Sequence, residues 1–145
     1  MFILAHLIWG LIMGKLSGNY TIALIGALAI DLDHLVVYIR HKIILSPEKF
    51  WQTITNPKDP YGNQRSFMHS FFAWLLISTS ALIINFGAGL VLSLSYLGHL
   101  LLDLIDSSDF HPFYPIKLNV RGPIRYLSKS EILFTAALLL IFFVV

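Results

Sequence analysis

The 145-residue sequence reads as an all-α integral membrane protein, a bundle of four to five transmembrane helices in a single domain. Three observations point there. The composition is 57% hydrophobic and 12% charged, against roughly 45–50% and about 25% in an average soluble domain. With a mean hydropathy of +0.74, the chain has too little polar surface to cover a globule in water. Apolar segments of the length needed to cross a bilayer recur along it, and clusters of turn-forming and charged residues separate them. Disorder and disulfide-stapled scaffolds are excluded on the same composition, since cysteine is absent.

Each element follows in order. A spanning helix needs about 20 mostly apolar residues, because roughly 30 Å of hydrocarbon is crossed at about 1.5 Å per residue. Segments 20–39, 67–86 and 88–106 meet that length, whereas 1–14 and 132–145 are apolar but short. Local thinning of the bilayer and snorkelling of Lys15 are expected to let the short ones span. Segment 1–14 lacks the basic start and the small-residue cleavage site of a signal peptide, and carries His6 inside its apolar run. Ser17-Gly18-Asn19 reads as a tight turn, and Gly87 with Gly89 as another. Ser128-Lys129-Ser130-Glu131 forms a capping box that opens the last helix. Two longer polar connections remain, 40–66 and 107–127. In the first, Ser46 as N-cap and Pro47 at the first helical position predict a short interfacial helix with Phe50, Trp51 and Ile54 on one side. No internal repeat is visible.

The basic residues orient the bundle. Following the chain across the membrane puts Arg40, Lys42, Lys49, Lys58, Arg65, Lys117, Arg121, Arg125 and Lys129 on one side and Lys15 alone on the other. The positive-inside bias then places the N-terminus and both long connections in the cytoplasm of a multi-pass cell-membrane protein.

Ionisable side chains within spans are costly, and they face an interior or a cavity with partners. Here they are His6, Asp31, Asp33, His34, His69, His99, Asp103 and Asp106. Threading the spans brings all of them to one level, toward the cytoplasmic side. Asp31 and His34 lie about 60° apart on a regular helix, and His99, Asp103 and Asp106, at i, i+4 and i+7, share a face. Asp33 points away from Asp31 unless the helix unwinds. Imidazoles and carboxylates so gathered bind Zn²⁺, with Mn²⁺ and Fe²⁺ the other candidates, as one ion or as a carboxylate-bridged pair. The expected ligands are His6, Asp31, His34, His69, His99 and Asp103. Asp33 or Asp106 is the expected general base or the carboxylate that orients a ligand histidine. Ser70 and Arg65 are expected to contact substrate, Arg65 as a bidentate phosphate clamp. His111 is a further candidate ligand or base, and His41, between Arg40 and Lys42, reads as a solvated interface residue.

These residues resemble a known family. His6, Asp31-Leu32-Asp33-His34, Arg65-Ser66-Phe67-Met68-His69-Ser70 and Gly98-His99-Leu100-Leu101-Leu102-Asp103, followed by Phe113-Tyr114-Pro115, occur in the order found in membrane-bound metal-dependent hydrolases. That family is also called the LexA-binding, inner-membrane-associated hydrolases. The resemblance covers about the first 115 residues. It departs at Ala29-Ile30, where the family carries a proline before the first aspartate, at Gln64 and Ser66 in place of His and Gly, and at Met68 in place of Thr. The donor types are similar in kind to those of zinc-dependent phospholipase C. The resemblance implies a metal-dependent hydrolase, and the basic loops beside a site at headgroup depth point to a phosphoester, with a lipid headgroup or a small phosphoester as substrate. Membrane lipid is the expected partner and nucleic acid is not. Two other readings compete: a small transporter or a proton or metal-ion relay using the same cluster, and a membrane anchor that binds a partner through 107–127. Transporters usually place such groups near the midplane within repeated halves, which this chain does not show.

Overall fold

The structure, a computed structural model, describes residues 3–56, Tyr61, Arg65 and 67–145. Lys58, Gln64 and Ser66 lie outside the described residues, as does the side chain of Ile54. The described residues form helices α1 (Ile3–Ser17), α2 (Tyr20–Leu28), α3 (Leu32–Arg40), α4 (Pro47–Thr55), α5 (Phe71–Ile84), α6 (Phe86–Ile105) and α7 (Lys129–Val144). Short 3₁₀ turns at Ala29–Asp31 and Phe67–His69 precede α3 and α5. No strand forms among these residues; isolated bridges pair Asp106 with Ile124 and Phe110 with Val120.

Local chemistry sets the boundaries. Gly18 takes a φ of +70°, which only glycine adopts cheaply, and Asn19 then caps α2 by accepting from the Ile22 amide at 3.1 Å. Ser46 caps α4 and Ser70 caps α5. Asn85 ends α5 and caps α6 in one residue, accepting from the Ala88 amide at 2.9 Å. The expected turn at Gly87 and Gly89 therefore sits at Asn85, and both glycines lie in the first turn of α6. Gly89 serves packing instead: a Cβ there would stand 2.5 Å from the backbone of Ala81 and Leu82. At the last helix Ser128 accepts from the Glu131 amide, and Glu131 accepts from the Leu127 amide at 2.7 Å.

Helix α6 is the hub. It packs against α5 on one side and against α1 and α2 on the other, with α7 laid along α1. Ala5, Ile8, Ile12, Leu102 and Leu138 form one core; Ile30, Tyr96, Leu100 and Phe110 form another. Trp9 bridges α1 to α6, its ring lying where a Cβ on Gly98 would have to be and its Nε1 donating to the Ser95 carbonyl at 3.1 Å.

Among the described residues, two helical stretches are long and apolar enough to cross a membrane, Tyr20–Arg40 and Phe86–Ile105. That is fewer than the four to five expected. The physical reason is clearest in the third segment. Its first residues wind as the 3₁₀ turn Phe67–His69, Ser70 is spent as a cap, and α5 proper has 14 residues, about 21 Å. Helices α1 and α7, with 15 and 16 residues, are likewise shorter than the roughly 30 Å hydrocarbon layer.

Candidate metal centre

The break between α2 and α3 builds the site. The 3₁₀ turn Ala29–Asp31 winds more tightly than an α-helix and changes the angular relation of the residues that follow it. Asp31 and Asp33, on opposed faces of a regular helix, both reach the same histidine. His69 Nε2 lies 3.4 Å from Asp31 Oδ1, and His69 Nδ1 lies 2.9 Å from Asp33 Oδ2. His69 is delivered by the 3₁₀ turn before α5, where the Tyr96 hydroxyl donates to the carbonyl of Met68. One turn along α6 from Tyr96, His99 lies with its Nδ1 2.7 Å from the Ala27 carbonyl oxygen.

Two acids flank the paired imidazoles, and Asp31 with His69 and His99, and His6 with His99 and Asp103, form groups whose donor atoms lie within 4.8 Å of one another. His69 Nε2 and His99 Nε2 are 3.2 Å apart; Asp31 Oδ1 is 3.4 and 3.7 Å from them, and Asp103 Oδ2 is 3.5 and 3.4 Å from them. A tetrahedron of ligands at 2.0–2.1 Å from a zinc ion has edges of about 3.3–3.4 Å. The distances from each acid to the two imidazoles, 3.4–3.7 Å, are near those edges, so the donors present fit a divalent metal. Hydrogen bonds at Nδ1 orient both rings. A carbonyl only accepts, so His99 Nδ1 carries a hydrogen; the Asp33 carboxylate likewise takes the Nδ1 hydrogen of His69. The two Nε2 atoms then face each other across 3.2 Å, a contact that either a hydrogen or a shared cation can bridge.

The other predicted residues stand around this centre. The His6 ring stacks on His99 with centroids 3.9 Å apart, and its Nε2 is 3.5 Å from Asp103 Oδ1. His34 packs edge-on against His69 at 5.1 Å and directs Nδ1 at the Asp31 carbonyl at 3.1 Å. Asp106, fully buried, caps α6. Arg65 lies across the two acids, its Nη2 3.1 Å from Asp103 Oδ1 and 3.3 Å from Asp106 Oδ2, and its Nη1 donates to the Asp109 carbonyl at 3.2 Å. The guanidinium is thus buried among carboxylates, where the sequence suggested an open phosphate clamp. Ser70 also differs from expectation: it is fully buried, its hydroxyl donating to the Phe67 carbonyl and accepting from the Ala73 amide, so it shapes the start of α5. Neither His41 nor His111 joins the candidate metal groups among the described residues. Asp31 and His34 are the accessible members, with side chains 24% and 21% exposed, whereas His6, His69, His99 and Asp103 are at most 1% exposed.

Two supporting residues escaped sequence reasoning. Tyr96 anchors the Met68 carbonyl beside His69, and the Ala27 carbonyl anchors His99. Tyr96 stands at i−3 from His99 on the same helical face, a spacing that marks it as a neighbour; a backbone carbonyl leaves no sequence signal.

Beyond the spans, the connection 107–127 is pinned over the end of α6. Asp109 Oδ1 accepts from Asn119 at 2.8 Å and from Arg121 Nε at 2.6 Å. The Asn119 hydrogen bond foremost, and the Arg121 guanidinium after it, hold the Asp109 carboxyl below the usual range against the opposing effect of partial burial. The Tyr126 hydroxyl is pushed up to about 12, mainly by burial and then by Glu131 and Asp106.

The sequence profile of the YdjM inner membrane protein family matches residues 2–145. The chain belongs to the YdjM inner membrane protein family. No curated protein and no solved structure matches the chain significantly. Family membership accounts for the apolar helices: this YdjM family chain is an inner membrane protein, with its buried acids and imidazoles held among those helices.

Proposed function

We propose that this YdjM family chain is an integral membrane metal-dependent hydrolase that acts on a phosphoester, with a lipid headgroup as the favoured substrate. One observation carries the reading: the Nε2 atoms of His69 and His99 face each other at 3.2 Å while both Nδ1 atoms are committed elsewhere. Asp31, His69, His99 and Asp103 would hold the ion, zinc foremost by donor chemistry. Bound there, a divalent ion supplies Lewis acidity toward a phosphoryl oxygen and lowers the pKa of water.

The chain's own residues divide the remaining work. Asp33 fixes the tautomer and ring orientation of His69, which is the role of a positioning carboxylate. His34, whose Nδ1 faces the Asp31 carbonyl, leaves Nε2 able to take a proton on the accessible side of the cluster. Burial of His6, His99 and Asp103 excludes water from every side but that of Asp31 and His34. Arg65 stabilises Asp103 and Asp106 rather than meeting substrate. Helices α1, α5 and α7 complete a five-span bundle in a locally thinned bilayer, with the N-terminus and both long connections cytoplasmic.

The competing relay reading draws on the continuity of the cluster, in which His34, Asp33, His69, His99 and His6 follow one another within contact distance. Its groups lie at one end of α6, however, away from the midplane where transport sites sit. A panel of phosphoesters, including phospholipids in mixed micelles, offered to the zinc-loaded protein discriminates the two. The hydrolase reading expects phosphate or headgroup release that falls at least 100-fold in Asp103→Asn. A relay would show no release, and metal or proton flux in sealed vesicles instead.

A further inference from the structure

Arg65 binds the acids on one side of this cluster. Asp103 offers both oxygens to the cluster: Oδ2 lies 3.5 and 3.4 Å from the Nε2 atoms of His69 and His99, and Oδ1 lies 3.5 Å from His6 Nε2. His6 and Oδ1 of Asp103 are donors that a second divalent ion would use, and Asp106 shares the Arg65 guanidinium with Asp103. Bridged carboxylates of this kind are how paired metal sites are built. That position is filled. Arg65 Nη2 stands 3.1 Å from Asp103 Oδ1 and 3.3 Å from Asp106 Oδ2, within hydrogen-bond distance of both acids. The arginine is itself only 9% exposed, and the Asp109 carbonyl holds its other nitrogen in place.

Charge explains the arrangement. Asp103 and Asp106 are at most 1% exposed, and two buried carboxylates near one another require a compensating cation. A guanidinium supplies one positive charge permanently, in a planar fork suited to two acceptors. A second divalent ion placed on Asp103 Oδ1 would stand against it.

We infer that Arg65 occupies the second cation position, so that the centre binds one divalent ion per chain. This rests on the metal-binding reading above and adds the stoichiometry. Substitution that removes the charge should open the second position to metal, whereas a charged replacement should keep it closed.

The test is titration of the purified, detergent-solubilised full chain with excess Zn²⁺ alone, followed by metal quantification by mass spectrometry after desalting. The wild type should retain one zinc per chain, Arg65→Lys one, and Arg65→Gln two. Two zinc ions in the wild type, or one in a folded Arg65→Gln, would overturn the inference while leaving the metal centre standing. Should Arg65→Gln fail to fold, the wild-type value alone decides between one and two. Zero zinc in the wild type would instead reject the metal reading itself, so the two failures are distinguishable.

Discussion

Asp33 accepts a hydrogen bond from His69 Nδ1 at 2.9 Å, and both residues are buried. This pairing crosses from α3 to the turn before α5 and fixes which histidine nitrogen faces Asp31, His99 and Asp103. Replacing the carboxylate by an amide keeps an acceptor but removes the charge that makes the ring a better ligand. Asp33→Asn should therefore weaken zinc binding by roughly 10–100-fold without changing helix content. Competition with a chelator of known affinity measures the first, and circular dichroism the second.

Much of this centre was legible in the sequence because donor spacing on a helix is set by fixed geometry. His99 and Asp103 had to share a face, and the threading of the spans had to bring Asp31, His34, His69 and His99 to one level. Asp33 was legible only conditionally, since nothing in Ala29-Ile30-Asp31 announces a 3₁₀ turn; its tighter winding is a tertiary outcome. The length of the third helix was misread because hydropathy counts Phe67, Met68 and Ser70 as part of an apolar run. It cannot see that they wind as a separate turn and cap. In sequence, an arginine beside a histidine motif resembles a phosphate clamp, while its pairing with Asp106 depends on a contact between residues 41 positions apart.

The α1–α6 contact offers a test of the fold that positions His6. A Cβ on Gly98 would lie 2.0 Å from Trp9 Nε1, and the ring cannot withdraw without giving up its hydrogen bond to Ser95. Gly98→Ala should destabilise the protein by about 1–3 kcal/mol or more, and Gly98→Ala combined with Trp9→Phe should recover only part of it. Thermal unfolding in detergent reads both; an unchanged midpoint in the single variant would contradict this packing.

The loop over the cluster should respond to acid. Folding depresses the Asp109 pKa, so the stabilisation it contributes is present above the ordinary value of about 3.9 and is lost as pH falls through the folded value. Hydrogen exchange at Phe110, Val120 and Gly122, whose amides donate to Asn119, Phe110 and Asp106, should accelerate in that acid range after correction for intrinsic rates. Asp109→Asn should show faster exchange at neutral pH and lose the acid dependence.

The orientation makes a separate prediction. Under the proposed five-span topology, which puts nine of the ten basic residues on one side, reporters fused after Asn56 and after Val145 should report the cytoplasm and the opposite side respectively. A cytoplasmic signal at both would mean that α7 does not cross.

The central claim is that His69, His99, Asp31 and Asp103 enclose a metal ion, and metal content tests it most directly. The protein purified without added metal or chelator should carry stoichiometric zinc, manganese or iron by mass spectrometry, lost in both His69→Ala and Asp103→Ala. A folded wild-type protein that carries no metal, and takes up none when Zn²⁺ is supplied, would contradict the account.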